Sequence, residues 1–349
     1  MSKGHIIALD AMGGDQAPEV VIRGLEIAHE RFPGIHFLLF GDSKRLNELL
    51  DKSSITHKSC SVHHTVDVVT SEAKPSQALR NGRESSMRIA INSVRDGLAE
   101  GVVSAGNTGA LMAIAKFVLK TLPGIDRPAI GGFFPTQKGE SLMLDLGANV
   151  ECDSDNLVQF AVMGEVFVRT VLGLDKPSIG LLNVGSEQRK GHDSVRRASD
   201  ILRNSHLPIH FHGFVEGDDI AAGTVDVIIT DGFSGNIALK TAEGMVHLYS
   251  DYLKKVYRST LISRLGYLLS RGALQRLKYR LDPRVYNGAV LLGLNGIVVK
   301  SHGGTDAVGF ANAISVAVDM ISNGFNNIIK EEFDTLNLEP DRDFQSSVL

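Results

Sequence analysis

The chain has 349 residues, of which 43% are apolar and 22% charged, and carries a formal net charge of −4. This length and balance fit a folded protein of one or two domains with a large core, and exclude a mostly disordered chain. The charge offers nucleic acid no global attraction, so any basic surface must be local.

In chain order, 5–9 reads as a strand and 18–31 as a helix, with Val21, Leu25 and Ala28 at helical spacing. A strand at 35–40 ends on Gly41, and a brief one follows at 102–104. Asn107 is placed to cap a helix running to 120. Strands at 142–146 and 179–184 flank a helix at 155–172. A strand at 225–230 leads into a long helix at 236–257, and a late helix covers 305–325. This alternation predicts an α/β fold with a mostly parallel sheet covered on both faces. The expected organisation is one α/β domain over 1–335, a helical insertion at about 245–285, and a poorly ordered tail over 336–349.

Two cysteines, Cys60 and Cys152, are too few for a disulfide framework and fit a reducing cytosol. No apolar run reaches the ~18 residues that cross a bilayer, and the apolar stretch near the start is too short for a signal peptide. The expectation is a cytoplasmic protein that is free to associate peripherally with a membrane.

The ends of the predicted strands share a composition. Asp10-Ala-Met-Gly-Gly-Asp15, Ser104-Ala-Gly-Asn-Thr-Gly109 and Asp145-Leu-Gly-Ala-Asn149 are three such turns. Asn183-Val-Gly-Ser-Glu187, Asp231-Gly-Phe-Ser-Gly-Asn236 and Lys300-Ser-His-Gly-Gly304 are three more. Tight turns need glycine for their own geometry. Six of them at one end of one sheet would instead line a cleft with backbone N–H groups and short polar side chains. Such a cleft suits phosphate.

Long strings carry a family likeness. They are IALDAMGGD from Ile7, SAGNTGALMA from Ser104, GIDRPA from Gly124, LDLGAN from Leu144 and GLLNVGSEQRKG from Gly180. DGFSGNIALKT from Asp231 and YNGAVLLGLNGIVVKSHG from Tyr286 complete the set. In order and over nearly the whole length, the chain resembles the PlsX phosphate acyltransferases. The resemblance implies a three-layer α/β/α fold related to phosphotransacetylases and to isocitrate and isopropylmalate dehydrogenases. It also implies a homodimer that converts acyl-[acyl carrier protein] and inorganic phosphate to acyl phosphate, feeding a membrane acyltransferase of phospholipid synthesis. One departure is visible: Ser186 precedes Glu187 where the family often has consecutive acids, which leaves Glu187 and Lys190 as the candidates there.

Phosphate attacks a thioester without a covalent enzyme intermediate, so the site must position phosphate, stabilise the oxyanion and help the thiolate leave. Lys190, Asp231 and Asn236 are the candidate catalytic residues: a charged contact for phosphate, a residue orienting it, and an amide donor at a helix start. The candidate substrate-binding set is Asp10, Gly13, Gly14, Ser104, Gly106, Asn107, Thr108, Gly109, Asp145, Asn149, Glu187, Ser234, Lys300 and His302. His302 is a candidate donor to the leaving thiolate, a role that histidine side chains fill near neutral pH. Asp10, Asp15 and Asp145 lack the clustered spacing of a metal site, so neither metal nor cofactor is expected. Cys152 reads as an inert structural cysteine. The Ser234 turn is not a Gly-x-Ser-x-Gly elbow, and 104–109 lacks the dinucleotide fingerprint, which disfavours a nicotinamide.

From 252 to 281 there are eight basic residues and no acid. Lys254, Lys255, Arg258, Arg264 and Arg271 interleave with Leu265, Leu268 and Leu269 at helical spacing. Such a segment suits an acidic partner: acyl carrier protein or an anionic membrane surface. It also suits a helix packing its leucines on the body or on a second copy. Two other functions stay open on sequence alone. One is a serine-dependent acyl hydrolase using Ser234, and the other a non-catalytic scaffold for carrier or membrane.

Overall fold

A computed structural model describes residues 4–338, apart from 56, 57, 206 and 208. The first half of the chain lays down β1 (Ile6–Asp10), α1 (Glu19–Arg31), β2 (His36–Gly41), α2 (Ser43–Leu50) and β3 (Cys60–His64). Then come α3 (Pro75–Asn81), α4 (Ser86–Arg95), β4 (Gly101–Ser104) and α5 (Thr108–Leu119). A hairpin, β5 (Ala129–Thr136) with β6 (Gly139–Leu144), leads to the second half. That half holds α6 (Ser154–Leu172), β7 (Ser178–Leu182), α7 (Asp193–Asn204), β8 (His210–Val215), α8 (Gly217–Ala222) and β9 (Val227–Ile229). Two long helices, α9 (Gly232–Arg258) and α10 (Leu261–Arg280), precede β10 (Ala289–Leu292), β11 (Ile297–Lys300), α11 (Ala307–Ser322) and α12 (Phe325–Leu338). The predicted tail lies outside the described residues except for 336–338, which end α12.

All the strands join one 11-stranded sheet in the order β3-β2-β1-β4-β11-β10-β5-β6-β9-β7-β8. Both faces are covered, and the strand sequences show it. Ile7, Leu9, Val103, Val299, Leu142 and Leu144 pack in one core cluster with α1, α6 and α11. The alternate residues Ala8, Val102, Val298 and Met143 pack in the other, with α4 and α5. Strands buried on both faces read as continuous apolar runs, because side chains alternate between two apolar layers. The predicted helix over 305–325 is α11, which ends at Ser322, and Gly324, with φ +64°, separates it from α12. Among the described residues, no single helix is long and apolar enough to cross a membrane.

Pairing directions correct one expectation. β1, β2, β3, β4 and β11 run parallel to one another. β10 is antiparallel to both β11 and β5, and β5 is antiparallel to β6. β6, β9, β7 and β8 are again mutually parallel. Three reversals lie between β11 and β6, so the second parallel block points opposite to the first. The six glycine turns therefore do not share one end of the sheet. Those after β1, β4 and β11 lie at one end, and those after β6, β7 and β9 at the other. What three of them share is a face: Asp10, Ser104 and Lys300 alternate with Leu9, Val103 and Val299. Their side chains thus leave the sheet on the α4–α5 side.

α9 and α10 form a helical hairpin that stands away from the body. Gly232 and Gly235 are the only buried residues described in α9, and α10 has none. Tyr257 of α9 meets Tyr267 of α10 edge to face, with ring centroids 5.5 Å apart. The basic segment of 252–281 is the end of α9 plus α10, with a break at Ser259 and Thr260, where Thr260 caps the second helix.

Candidate active site

Asp10, Ser104 and Lys300 form a row across three neighbouring strands. Lys300 stands opposite Ser104 in register, and Leu9 opposite Val103. The Ser104 hydroxyl donates to Asp10 Oδ2 at 2.6 Å, and Ser86, at the start of α4, donates to Oδ1 at 2.7 Å. Asp10 is 1% exposed, and this burial holds its carboxyl above the usual range despite those hydrogen bonds. Its role is to lock the β1 and β4 turns together.

Glycine is required where the two turns touch. A Cβ on Gly13 would lie 2.5 Å from Asp10 Oδ2 and 2.8 Å from the Gly106 nitrogen. Gly14 has φ +111°, a conformation that other residues rarely adopt. The Asp15 N–H donates to the Gly303 carbonyl at 2.9 Å, joining the β1 turn to the β11 turn. A crevice of about 10 Å³ lies between them, lined by Gly13, Gly14, Ala105 and Gly303 among others.

Asn107 caps α5 as its position predicts. Its Oδ1 accepts from Ala110 N at 2.9 Å, and its Nδ2 donates to the Ser71 and Ala73 carbonyls. The amide is thus fully engaged in structure. The N–H groups of Thr108 and Gly109 follow, in exposed residues at the head of the helix, where no carbonyl of α5 can reach them. They are backbone donors for an anion, reinforced by the helix dipole.

Lys300 is 8% exposed, and its Nζ donates to the Ser301 carbonyl and, at 3.5 Å, to that of Ala105. Burial pushes its pKa down to about 8 against the pull of Asp10 and Asp15, and Lys240 of α9 adds a smaller downward push. The coupling to Lys240 brings α9 to the same place. His302 is exposed, and its Nδ1 accepts from Gly304 N at 3.2 Å. Asn287 braces this turn: its Oδ1 accepts from His302 N, and its Nδ2 donates to Ser301 Oγ and to the Gly309 carbonyl.

The Asp145 turn meets the start of α9. Asp145 is fully buried and accepts from the N–H groups of Ile130, Gly147, Ala148 and Asn149 and from Asn149 Nδ2, at 2.7 to 3.2 Å. Burial nevertheless holds its pKa above the usual range. Asn149 also donates to the Pro128 carbonyl at 2.9 Å and accepts, through its own carbonyl, from Gly232 N at 2.7 Å. These residues staple β6 to α9 and place Asn236 against Gly147.

Two expected roles change. The N-cap of α9 is Asp231, which accepts from Ser234 N at 2.8 Å, so Asn236 lies in the second turn and caps nothing. Lys190 pairs with Glu187 at 2.8 Å rather than with Asp231, and both partners are exposed. Hydrogen bonding to Glu187 raises the lysine's pKa. Lys190 folds back over Gly185, where a Cβ would lie 2.4 Å from its Cδ, so the 183–191 turn is closed by its own residues. The Ser234 hydroxyl donates to Asp231 at 3.2 Å, a serine–carboxylate pair with no imidazole between them. Cys152 is half-buried, and desolvation, with Asp145 and Asp231 nearby, pushes its thiol up to about 12. Such a thiol is a poor nucleophile.

Sequence reasoning missed Ser86 and Asn287. Ser86 lies outside every glycine turn, and only the fold brings it to Asp10. Asn287 stands before an apolar strand, like many a turn asparagine. Among the described residues, no three His, Cys, Asp or Glu side chains converge as a metal site.

Comparison with known proteins places the chain in a family. Residues 6–328 match the family described as fatty acid synthesis protein. The chain belongs to this family. The phosphate acyltransferase of Paramagnetospirillum magneticum is 62% identical over 336 residues, covering 96% of each chain. That of Rhodospirillum centenum is 65% identical over 332 residues, covering 95% of this chain and 94% of its own. Among solved structures, a phosphotransacetylase from Streptococcus pyogenes superposes with a TM-score of 0.62 at 18% identity, over 92% of this chain and 94% of its own. At that identity the match is one of fold, and it is the fold that the resemblance implied.

Proposed function

We propose that the chain is an acyltransferase that joins a fatty acyl group to inorganic phosphate, releasing acyl phosphate for phospholipid synthesis, with acyl carrier protein as the donor. The observation that carries the chemistry is the row of Asp10, Ser104 and Lys300 beside the open head of α5. Thr108 and Gly109 hold the phosphate through their N–H groups, and Lys300 is the buried cation of the row, held by the carbonyls of Ala105 and Ser301. The phosphate dianion, held against the thioester carbonyl, attacks without a covalent enzyme intermediate. The relatives' shared designation, phosphate acyltransferase, supports the reading.

The partners follow from charge and exposure. The hairpin presents Lys254, Lys255, Arg258, Arg264 and Arg271, and beside them Leu261, Ile262, Leu268 and Leu269 are 81%, 84%, 62% and 81% exposed. Basic groups next to bare leucines suit an anionic membrane surface, where the acyl phosphate reaches a membrane acyltransferase, and they suit the acidic carrier. The bare apolar residues of α9, such as Met245, Tyr249 and Tyr252, are the surface offered to a second copy in a homodimer.

Carrier thiol release followed with and without phosphate tests the reaction. Release should need phosphate, and Ser234→Ala should leave it unchanged. A burst of thiol without phosphate that Ser234→Ala abolishes would establish the hydrolase instead. Binding without turnover of any acyl chain, lost on charge reversal at Arg264 and Arg271, would establish the scaffold.

A further inference from the structure

A buried ammonium is costly unless a carboxylate pairs with it. Among the described residues Lys300 has no such pair: its hydrogen bonds go to the carbonyls of Ala105 and Ser301. The charges around it come from several elements. Asp10 ends β1, Asp15 lies in the turn after it, Lys240 is on α9, and His302 is two residues further along the chain. Asp10 is occupied by two serine hydroxyls, and Asp15 is exposed. The ammonium is thus buried against the turn that leads from β4 into α5, held by carbonyls that accept a hydrogen bond but take no proton.

We propose that Lys300 is the proton donor to the departing sulfur, a role that rests on the acyl phosphate reading above. A phosphate oxygen bonds to the thioester carbonyl carbon. The tetrahedral intermediate collapses, the C–S bond breaks, and its electron pair leaves on sulfur. The sulfur takes a proton from Lys300 Nζ, giving the free thiol and a neutral amine. Hydrogen phosphate loses its own proton on becoming acyl phosphate, and that proton restores the ammonium, so the cycle closes with no further reactant.

Burial favours the neutral amine left behind. A lysine at about 8 is matched to a thiol, whose ordinary value is ~8.5, so the transfer runs nearly level. The other candidates lack this setting. Lys190 is exposed and tied to Glu187, and His302 is exposed with its Nδ1 engaged by Gly304.

The test compares wild type, Lys300→Arg and Lys300→Met on acyl-carrier thioester, with kcat and the KM for phosphate measured from pH 6.5 to 9.5. Arginine keeps the charge but does not release a proton. Both variants should lose about 10²–10³-fold in kcat while the phosphate KM stays within about threefold. The wild-type kcat should fall above a pH near 8, and that limb should be missing in Lys300→Arg. A full kcat in Lys300→Arg, or a loss confined to the phosphate KM, would make the residue a phosphate anchor and overturn the proposal. A wild-type kcat that stays flat to pH 9.5 would overturn it without any variant. If wild type makes no acyl phosphate, the parent reading fails, an outcome distinct from these.

Discussion

Replacing Lys300 with methionine should stabilise the protein at neutral pH while stopping its chemistry. Methionine keeps the length and apolar stem of the side chain and removes the charge. Holding a lysine at about 8 instead of its ordinary 10.5 costs about 3 kcal/mol of folding free energy at pH 7. The variant also loses an ammonium hydrogen bond to the Ser301 carbonyl and a marginal one at 3.5 Å to Ala105, worth about 2 kcal/mol together in net terms. The expected balance is a gain of about 1 kcal/mol. The pH dependence has a definite sign. Between about 8 and 10.5 the unfolded chain holds more protons on this residue than the native one, so wild-type stability rises with pH there. The advantage of Lys300→Met should therefore shrink, and then reverse, as pH climbs through that window. Urea denaturation of both proteins at pH 7 and pH 10 measures it. A variant less stable at pH 7, or a difference equal at both pH values, would refute the view of Lys300 as a charge held at a cost.

Gly13→Ala should lose most activity and about 1–3 kcal/mol of stability, because its methyl would meet both the Asp10 carboxylate and the main chain of Gly106; denaturation and turnover together check it. Asp145→Ala should cost about 3 kcal/mol or more, since it strands the buried donors now shared by this one carboxylate, and a urea titration reads that directly. Cys152→Ala should leave turnover unchanged, and the native thiol, pushed up to about 12, should resist alkylation by iodoacetamide at pH 8.

The architecture was legible in the sequence because strands buried on both faces read as apolar runs, and the helices between them carry clear periodicity. The apolar run 288–299 holds Asn295-Gly296, a hairpin signal, and β10 and β11 on either side of it run antiparallel and reverse the sheet. This reversal sets three glycine turns at one end and three at the other, which no turn reveals locally. Asn107 was readable as a cap because capping is local; Asn236 was misplaced because Asp231, four residues after the core valine Val227, starts the helix one turn sooner. Lys300 looked like a loop lysine next to glycine and histidine. Its burial follows from strand register, which sets β11 beside β4 and brings the Ala105 carbonyl to its Nζ. Lys190 looked stronger because Gly185 and Gly191 flank it, but those glycines serve the turn's own closure.

The central claim is that phosphate itself attacks the acyl thioester in this site. Purified protein, palmitoyl-carrier thioester and isotopically labelled phosphate test it directly. The account predicts label in a hydroxylamine-sensitive acyl phosphate, appearing in step with free carrier thiol. Free fatty acid with no label in any acyl product would contradict it.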